Sequence, residues 1–139
     1  MEKYIMNWKK ISRRGLIAFL ITINFFTVAH AEIKNYEGVG EYFITDETLD
    51  FSKNQAELIA QRDILEKICV YVKSQSTMID NELENDEIIT ISAGILRVID
   101  TKFSIINDED GITVKSFVTA QVDTDELKKL LEEEIKNKI

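Results

Sequence analysis

The side chains with the greatest capacity for chemistry are one histidine and one cysteine, His30 and Cys69, in a chain of 139 residues. His30 falls within the first 31 residues, which have the pattern of a signal peptide. A chain that loses them has no imidazole for a Ser-His or Cys-His nucleophile pair, or for the usual histidine-containing zinc sites. Cys69 is then the only thiol and has no internal disulfide partner. We expect it to pack as a small buried hydrophobe, the alternatives being an intermolecular disulfide or a reactive thiol.

Acidic side chains are the other group that could bind a ligand or catalyse a reaction. The turn Asp108-Glu109-Asp110 and the acids between Asp80 and Glu87 could each chelate calcium. Neither has the central glycine and distal glutamate of an EF-hand loop, so a solvated turn and a solvated connection are expected. A pair of carboxylates acting on a sugar needs a cleft that holds them apart, for which a small domain has little room. The sequence therefore predicts no catalytic, cofactor or metal site, and no enzymatic activity.

The first 31 residues have the three parts of a bacterial signal peptide. Five lysines and arginines stand against one acid in the first 14 residues, and residues 15–28 carry no charge. Ala29-His30-Ala31 then supplies the small-x-small pattern that signal peptidase accepts. We predict cleavage between Ala31 and Glu32, a single domain over residues 32–139, and a periplasmic or secreted location.

Two other interpretations of the amino terminus remain. An uncleaved membrane anchor would need about 20 apolar residues, and the uncharged run is shorter. The stretch from Ser12 to Ile17, which contains Arg13 and Arg14, resembles a twin-arginine export motif, so the sequence leaves Sec and twin-arginine export open. No cysteine stands directly after the apolar run, so a lipid anchor has no residue to be attached to.

The charge of the remaining domain restricts its partners. The first 31 residues hold five of the 17 basic and one of the 25 acidic residues, so that residues 32–139 carry a formal net charge of −12. Such a surface repels phosphate backbones and anionic lipid headgroups. We therefore expect no binding to nucleic acid and no membrane attachment after cleavage. The 108 residues that remain suffice for one domain.

The pattern of apolar residues indicates the elements of that domain. Tyr36 to Ile44 has the composition of a strand, in which Val39 and Phe43 share one face, and its two glycines, Gly38 and Gly40, suggest close approach of another backbone. Ser52 stands three residues before Gln55, which predicts a capped helix that continues through Lys73. The expected apolar stripe of that helix consists of Leu58, Leu65, Ile68, Cys69 and Val72.

The second half of the chain predicts a connection, a hairpin and a helix. Ser74 to Gly94 is rich in acids and is expected to be largely irregular, with short helical or extended pieces. Two alternating strands, Ile95 to Ile106 and Ile112 to Val122, flank the turn sequence 107–111. A last helix capped by Asp123 or Thr124 follows, with a stripe formed by Leu127, Leu130, Leu131 and Ile135. The predicted class is α+β, in the order β-α-(irregular connection)-β-β-α, with helices packed on a small antiparallel sheet.

This order resembles the N-terminal domain of flagellar assembly protein T, which is shared with secreted proteins and lipoproteins. The resemblance covers nearly all of residues 32–139 and depends on these positions: Gly38-Val39-Gly40, Ala56, Ala60, Arg62, Asp63, Val70-Tyr71-Val72, Ser74, Thr77, Asn81, Leu83, Asp86, Ile88, Ser92 and Gly94. Family members commonly have a glycine where this chain has Cys69. Flagellar assembly protein T itself continues into further domains that help build a ring, whereas one domain is expected here.

Two functions follow as expectations. The resemblance implies a non-enzymatic envelope domain that contacts another envelope protein, in flagellar basal-body assembly or in another envelope assembly. The alternative is a periplasmic domain that binds a small ligand or a divalent cation through its acidic connection. The oligomeric state and the identity of the partner are not encoded in any motif.

Overall fold

Three strands form an antiparallel sheet whose central strand is the last of the three in the chain. The structure is a computed structural model that describes residues 31–139. Its elements are β1 (Ile33–Ile44), α1 (Leu49–Gln75), α2 (Thr77–Glu82), α3 (Asn85–Ile95), β2 (Arg97–Asp108), β3 (Gly111–Asp123) and α4 (Thr124–Lys138). The sheet order is β1-β3-β2. The α+β class predicted from the sequence, with helices packed on a small antiparallel sheet, is confirmed.

Two glycines in β1 let α1 lie directly on the strand. A Cβ atom built on Gly38 would stand 2.1 Å from the carbonyl oxygen of Ala60, and one on Gly40 would stand 2.0 Å from that of Ala56. Real Cβ atoms do not approach backbone oxygens so closely, so only glycine fits at these two positions. The close backbone approach predicted from the sequence is therefore present, and its partner is the helix.

The first helix begins one turn earlier than the sequence predicts. Its cap is Thr48, whose Oγ1 accepts a hydrogen bond from the backbone N–H of Phe51 at 3.3 Å. Ser52, the predicted cap, is buried inside the helix, where its hydroxyl donates to the carbonyl oxygen of Thr48 at 3.0 Å. The predicted capping box is therefore wrong. The helix extends two residues past the predicted Lys73.

The buried face of α1 is made mostly of small and β-branched residues four apart. It contains Ser52, Ala56, Ala60, Ile64, Ile68, Cys69 and Val72. Leu58, expected in the apolar stripe, is 57% exposed, and Leu65 only packs against the margin of the core. Because the helix lies on glycines, alanines face the sheet and the larger leucines lie to the side or in solvent.

The acidic connection after α1 is more regular than expected. It contains two helices, α2 and α3, separated by a short break at Leu83 and Glu84. Ile79, Leu83 and Ile88 are buried in the same core as α1. These short helices are held by tertiary packing, because helices of this length are marginal alone in water.

The hairpin of β2 and β3 follows the predicted turn, with Gly111 at φ +136° after Glu109 and Asp110. The inward residues of β3 alternate: Val114, Val118, Ala120 and Val122 are buried as expected, together with Ser116, whereas Ile112, predicted on the same face, is 39% exposed. Strand β2 differs from the prediction. Ile95 ends α3, Ile99 falls at a bulge between Val98 and Asp100, and nearly every side chain of β2 is exposed.

The last helix closes the core, as its apolar stripe predicts. Asp123 caps it, with Oδ1 accepting from the N–H groups of Asp125 and Glu126, each at 3.0 Å. Leu127, Leu131 and Ile135 are buried, whereas Leu130 is half-buried. Residues 31–139 form one compact unit in which the helices cover one face of the sheet.

Candidate functional site

The face of the sheet that the helices leave uncovered, here called the outer face, carries a cluster of exposed apolar side chains. Val39 in β1 lies opposite Phe117, which is in the middle of the central strand β3. Phe43 in β1 and Ile106 in β2 both lie opposite Thr113 of β3. These four apolar side chains are 41–47% exposed: Val39 41%, Phe43 47%, Ile106 41% and Phe117 42%. Exposed apolar groups that share one face of a small domain are typical of interaction surfaces.

Charged side chains separate the apolar residues of the outer face. Lys115 Nζ lies 2.7 Å from Glu41 Oε1 and 5.7 Å from the centre of the Phe117 ring. Lys102, opposite Phe117 on the other side, pairs with Asp100 at 3.3 Å. Protein interfaces commonly combine exposed apolar groups with paired charges in this way.

Sequence reasoning missed this site as a unit. The pattern of β1 places Val39 and Phe43 on one face, but it does not say whether helices cover that face. Phe117 gave a further signal, since it stands on the otherwise polar side of an alternating strand. What shows that these side chains have no helix over them is the location of all the helices of residues 31–139 on the opposite face.

Two side chains from α1 form hydrogen bonds to backbone groups at the free edge of β1. Asp63 Oδ2 accepts a hydrogen bond from the Val39 N–H at 3.0 Å, and Lys67 Nζ donates to the Glu37 carbonyl oxygen at 2.8 Å. The two side chains also form a salt bridge at 2.8 Å. The hydrogen bond from Lys67, aided by that from Val39, holds the pKa of Asp63 below its ordinary value.

Most acids of the connection line one open surface depression, together with Lys73 and Lys138. Asp80 pairs with Lys73 at 3.7 Å, and Glu87 pairs with Lys138, whose hydrogen bond lowers the pKa of Glu87. Glu87 also accepts from the backbone N–H of Glu84 at 2.8 Å, which closes a capping box at the start of α3. Within residues 31–139, no three His, Cys, Asp or Glu side chains are arranged to hold a metal ion.

The acids of the hairpin turn act on their own backbone. Asp108 Oδ1 accepts from the N–H of Asp110 at 3.0 Å, a local bond that stabilises the tight turn. A Cβ on Gly111 would meet the ring of Phe43 at 2.6 Å, so the turn lies against the outer face. This location makes the turn part of the surroundings of the apolar cluster.

Cys69 is buried in the core, 4% exposed, as the sequence predicts. Burial raises the pKa of its thiol, with a smaller opposing effect from Lys73. Since the thiolate is the nucleophilic form of cysteine, both burial and the raised pKa make this side chain unreactive in the folded protein.

The predicted cleavage site lies at the start of the folded unit. Ala31 and Glu32 are exposed and immediately precede β1. The carbonyl oxygen of Glu32 accepts two hydrogen bonds from Thr124, from its N–H and its Oγ1, each at 2.9 Å. The rest of the predicted signal peptide, residues 1–30, lies outside the described residues. In residues 31–139, no helix has the length and apolar character that crossing a membrane requires.

The chain matches no protein-family model, and a search of the curated proteins finds no match either. The resemblance to the flagellar assembly protein T domain stays a prediction from the residues named for it.

Proposed function

We propose that this protein is an exported, non-enzymatic domain that mediates protein–protein contacts in the cell envelope, and that its partner docks on the outer face of the sheet. The observation that carries the proposal is the apolar cluster of Val39, Phe43, Ile106 and Phe117 on a face over which no helix of residues 31–139 lies. Water-exposed aromatic side chains on a rigid sheet lose little conformational entropy when a partner covers them.

The charge of the domain supports a partner with basic residues around its docking surface. Residues 32–139 carry a net charge of −12, whereas Lys102 and Lys115 are already paired with carboxylates on the outer face. A basic partner would be attracted over a distance and would lose that attraction as salt screens it. The apolar contacts would remain.

The amino-terminal pattern and the family resemblance support the setting. A charged start, an uncharged run and Ala29-His30-Ala31 favour export and cleavage before Glu32. The resemblance to a domain of a ring-building protein favours an envelope assembly, the flagellar basal body among them. Intact-mass measurement on the envelope fraction tests the export: a species that begins at Glu32 is expected, and one that retains Met1 in the membrane pellet would contradict it.

The docking surface is tested by two matched substitutions of exposed apolar residues. Phe117→Ser removes the ring at the centre of the outer face, and Leu58→Ser removes an exposed side chain from the solvent side of α1. We would purify each variant and the parent from the envelope with bound proteins, after chemical cross-linking in cells. The parent and Leu58→Ser should yield the same cross-linked partner, and Phe117→Ser should yield at least about tenfold less. An equal loss in both variants would overturn the assignment to the outer face.

The absence of catalysis is tested separately on the acidic connection. Neutralising Asp80, Glu82, Glu84, Asp86 and Glu87 should change no turnover, because the proposal assigns none to this domain. If the purified parent hydrolysed or transferred a group, and this neutralised variant lost that turnover while still folded, the non-enzymatic assignment would be wrong.

A further inference from the structure

The two edges of the sheet differ in how their backbone groups are satisfied. At the β1 edge, Asp63 and Lys67 occupy the Val39 N–H and the Glu37 carbonyl oxygen. Within residues 31–139, no side chain makes such a bond to the backbone of Thr101 to Ile105 in β2. An edge strand with free backbone groups is a template for another strand, and proteins usually protect such an edge.

The register of the sheet identifies which groups of β2 are free. Because the Val39 N–H bonds to Asp63, Val39 and its opposite residue Phe117 form a non-hydrogen-bonded pair. The backbone groups of Phe117 therefore point toward β2, where Lys102 lies opposite. Alternate residues of β2 bond to β3, so the N–H and C=O groups of Thr101, Phe103 and Ile105 point to the open edge.

The same three residues direct their side chains to the helical side of the sheet, where cover is incomplete. Phe103 lies opposite the buried Ser116 and Ile105 opposite the buried Val114, yet they are 39% and 52% exposed. Helix α1 rests mainly on β1 and β3, and its polar contacts to β2 come from Lys53, 5.7 Å from the Phe103 ring, and from Glu57, 3.5 Å from the Thr101 hydroxyl. The edge of β2 thus has free hydrogen-bonding groups beside half-covered apolar side chains.

We propose that the edge of β2 pairs with β2 of a second copy of this chain, antiparallel, about a two-fold axis at Phe103, to give a six-stranded sheet. Phe103 of one copy then lies opposite Phe103 of the other, and Thr101 lies opposite the second copy's Ile105. The four half-exposed side chains of Phe103 and Ile105 fill the space between the two α1 helices. The interface is isologous, as closed dimers require.

Charge and strand geometry argue against three neighbouring registers. An axis at Lys102 would oppose two lysines, and one at Ser104 would oppose Asp100 to Asp108 of the second copy. An axis at Thr101 would place the bulge at Ile99 inside the paired segment, where the hydrogen-bond alternation is broken. With the axis at Phe103, Lys102 lies opposite Ser104 and Asp100 lies opposite Ile106, so no like charges are directly opposed.

The pairing goes beyond the proposed function, since it uses the edge of β2 rather than the outer face. It also responds to salt in the opposite direction. Two chains that each carry −12 over residues 32–139 repel each other, and salt screens that repulsion. Dimerisation should strengthen from low salt to about 0.15 M, whereas capture of a basic partner weakens. Phe117→Ser, which tests the outer face, should leave the dimer intact.

Sedimentation velocity of the protein, isolated in the form that cells produce, tests the proposal. The parent should sediment with twice the mass of one chain. Ile105→Pro removes one edge N–H that makes no bond to β3, and should raise the dimer Kd on the order of 100-fold. Asn35→Pro removes an outward N–H from the β1 edge and should leave the dimer unchanged. A parent that is monomeric at about 100 μM, or an Ile105→Pro variant that dimerises like the parent, would overturn the proposal.

A measurement on the unaltered protein covers the case in which Ile105→Pro does not fold. Amide hydrogen exchange at Thr101, Phe103 and Ile105 should slow as the protein concentration rises, because pairing protects these three N–H groups. The Asn35 N–H on the β1 edge should exchange at one rate throughout. Equal rates at low and high concentration for the three β2 amides would refute the pairing.

Discussion

The two faces of the sheet, formed by alternate residues of the same strands, differ in how far their side chains are buried. On the inner face, Gly40 lies against the backbone of Ala56, and Val118 is 1% exposed. On the outer face, the neighbouring residues Val39 and Phe117 are each about two-fifths exposed (41% and 42%). Alternate residues of one strand therefore hold the fold together and remain available for contact. The difference predicts that substitutions one residue apart will differ sharply in their cost to stability.

The largest effect is expected at the contact between β1 and α1. Gly40→Ala places a Cβ 2.0 Å from the Ala56 carbonyl oxygen and 2.5 Å from the Ala60 nitrogen, both of them backbone atoms. The helix has to move off the strand, and we expect the free energy of unfolding to fall by about 3 kcal/mol or more. Urea unfolding followed by circular dichroism measures this change.

The same substitution at an open glycine is the control. Gly94 lies in α3 with no atom within 4 Å of an added Cβ, so Gly94→Ala should leave stability unchanged or raise it by up to about 1 kcal/mol. If Gly40→Ala were as harmless as Gly94→Ala, the inner face would not be the close contact described here.

The second prediction compares one substitution on the two faces. Val118→Thr buries a hydroxyl among apolar groups on the inner face and should cost about 2 kcal/mol. Val39→Thr exchanges the same two side chains on the outer face, where water solvates the hydroxyl, and should stay within about 0.5 kcal/mol. Thermal unfolding of both variants measures the difference. Equal costs would mean that the outer face is covered as well.

The third prediction concerns the thiol on the inner side of α1. Cys69→Ala removes a small buried group and should cost about 1 kcal/mol, without loss of partner capture. A thiol reagent should label the native parent far more slowly than the urea-unfolded chain. Labelling at the unfolded rate, or a disulfide-linked dimer from cells on a non-reducing gel, would contradict the burial of Cys69.

The smallest effect is expected at the margin between the two faces, where Asp63 and Lys67 close the β1 edge. The pKa of Asp63 is lowered in the folded chain, chiefly by Lys67. The ionised carboxylate therefore contributes fully to stability at pH values above its ordinary pKa of 3.8, and this contribution is lost as the pH falls through the lowered pKa of the folded state. The pair is partly exposed, so solvent screening limits the contribution.

Asp63→Asn should therefore cost less than about 1 kcal/mol at pH 7, and the cost should shrink below about pH 3.8. Exchange of the Val39 amide should quicken in the variant at pH 7. Arg62→Gln, which breaks only an exposed salt bridge to Glu66, is the matched control. A cost for Asp63→Asn that stays constant from pH 7 to pH 3 would show that the ionised carboxylate contributes nothing.

Sequence patterns predicted most of the inner face and little of the outer face. Alternation in β3 and the paired glycines of β1 identified buried positions, because burial imposes size and polarity on each residue there. The buried face of α1 was predicted less well. Ala56 and Ala60 lie on that face but are only weakly apolar, whereas Leu58 is strongly apolar but lies on the exposed face. The helices of the connection were missed because their stability comes from distant contacts of Ile79 and Ile88.

The outer face and the free edge of β2 follow from topology rather than from local pattern. Nothing in the spacing of Phe103 or Phe117 tells which side the helices take, or that β3 rather than β2 is the central strand. Those properties depend on how all the elements pack, so the candidate site could be recognised only after the sheet order was known.

The pairing of β1 with β3 also governs the order of events during biosynthesis. β1 leaves the ribosome early, but Ile33 must wait for Asp123, and Ile44 for Ile112. Until then the backbone of β1 has no partner strand, and α1 can pack on β1 but not yet on β3. Pairing between strands so far apart in the sequence makes folding slow. Thr124, which bonds to the Glu32 carbonyl oxygen, follows β3 directly, so the start of β1 is fixed only after all three strands have been made.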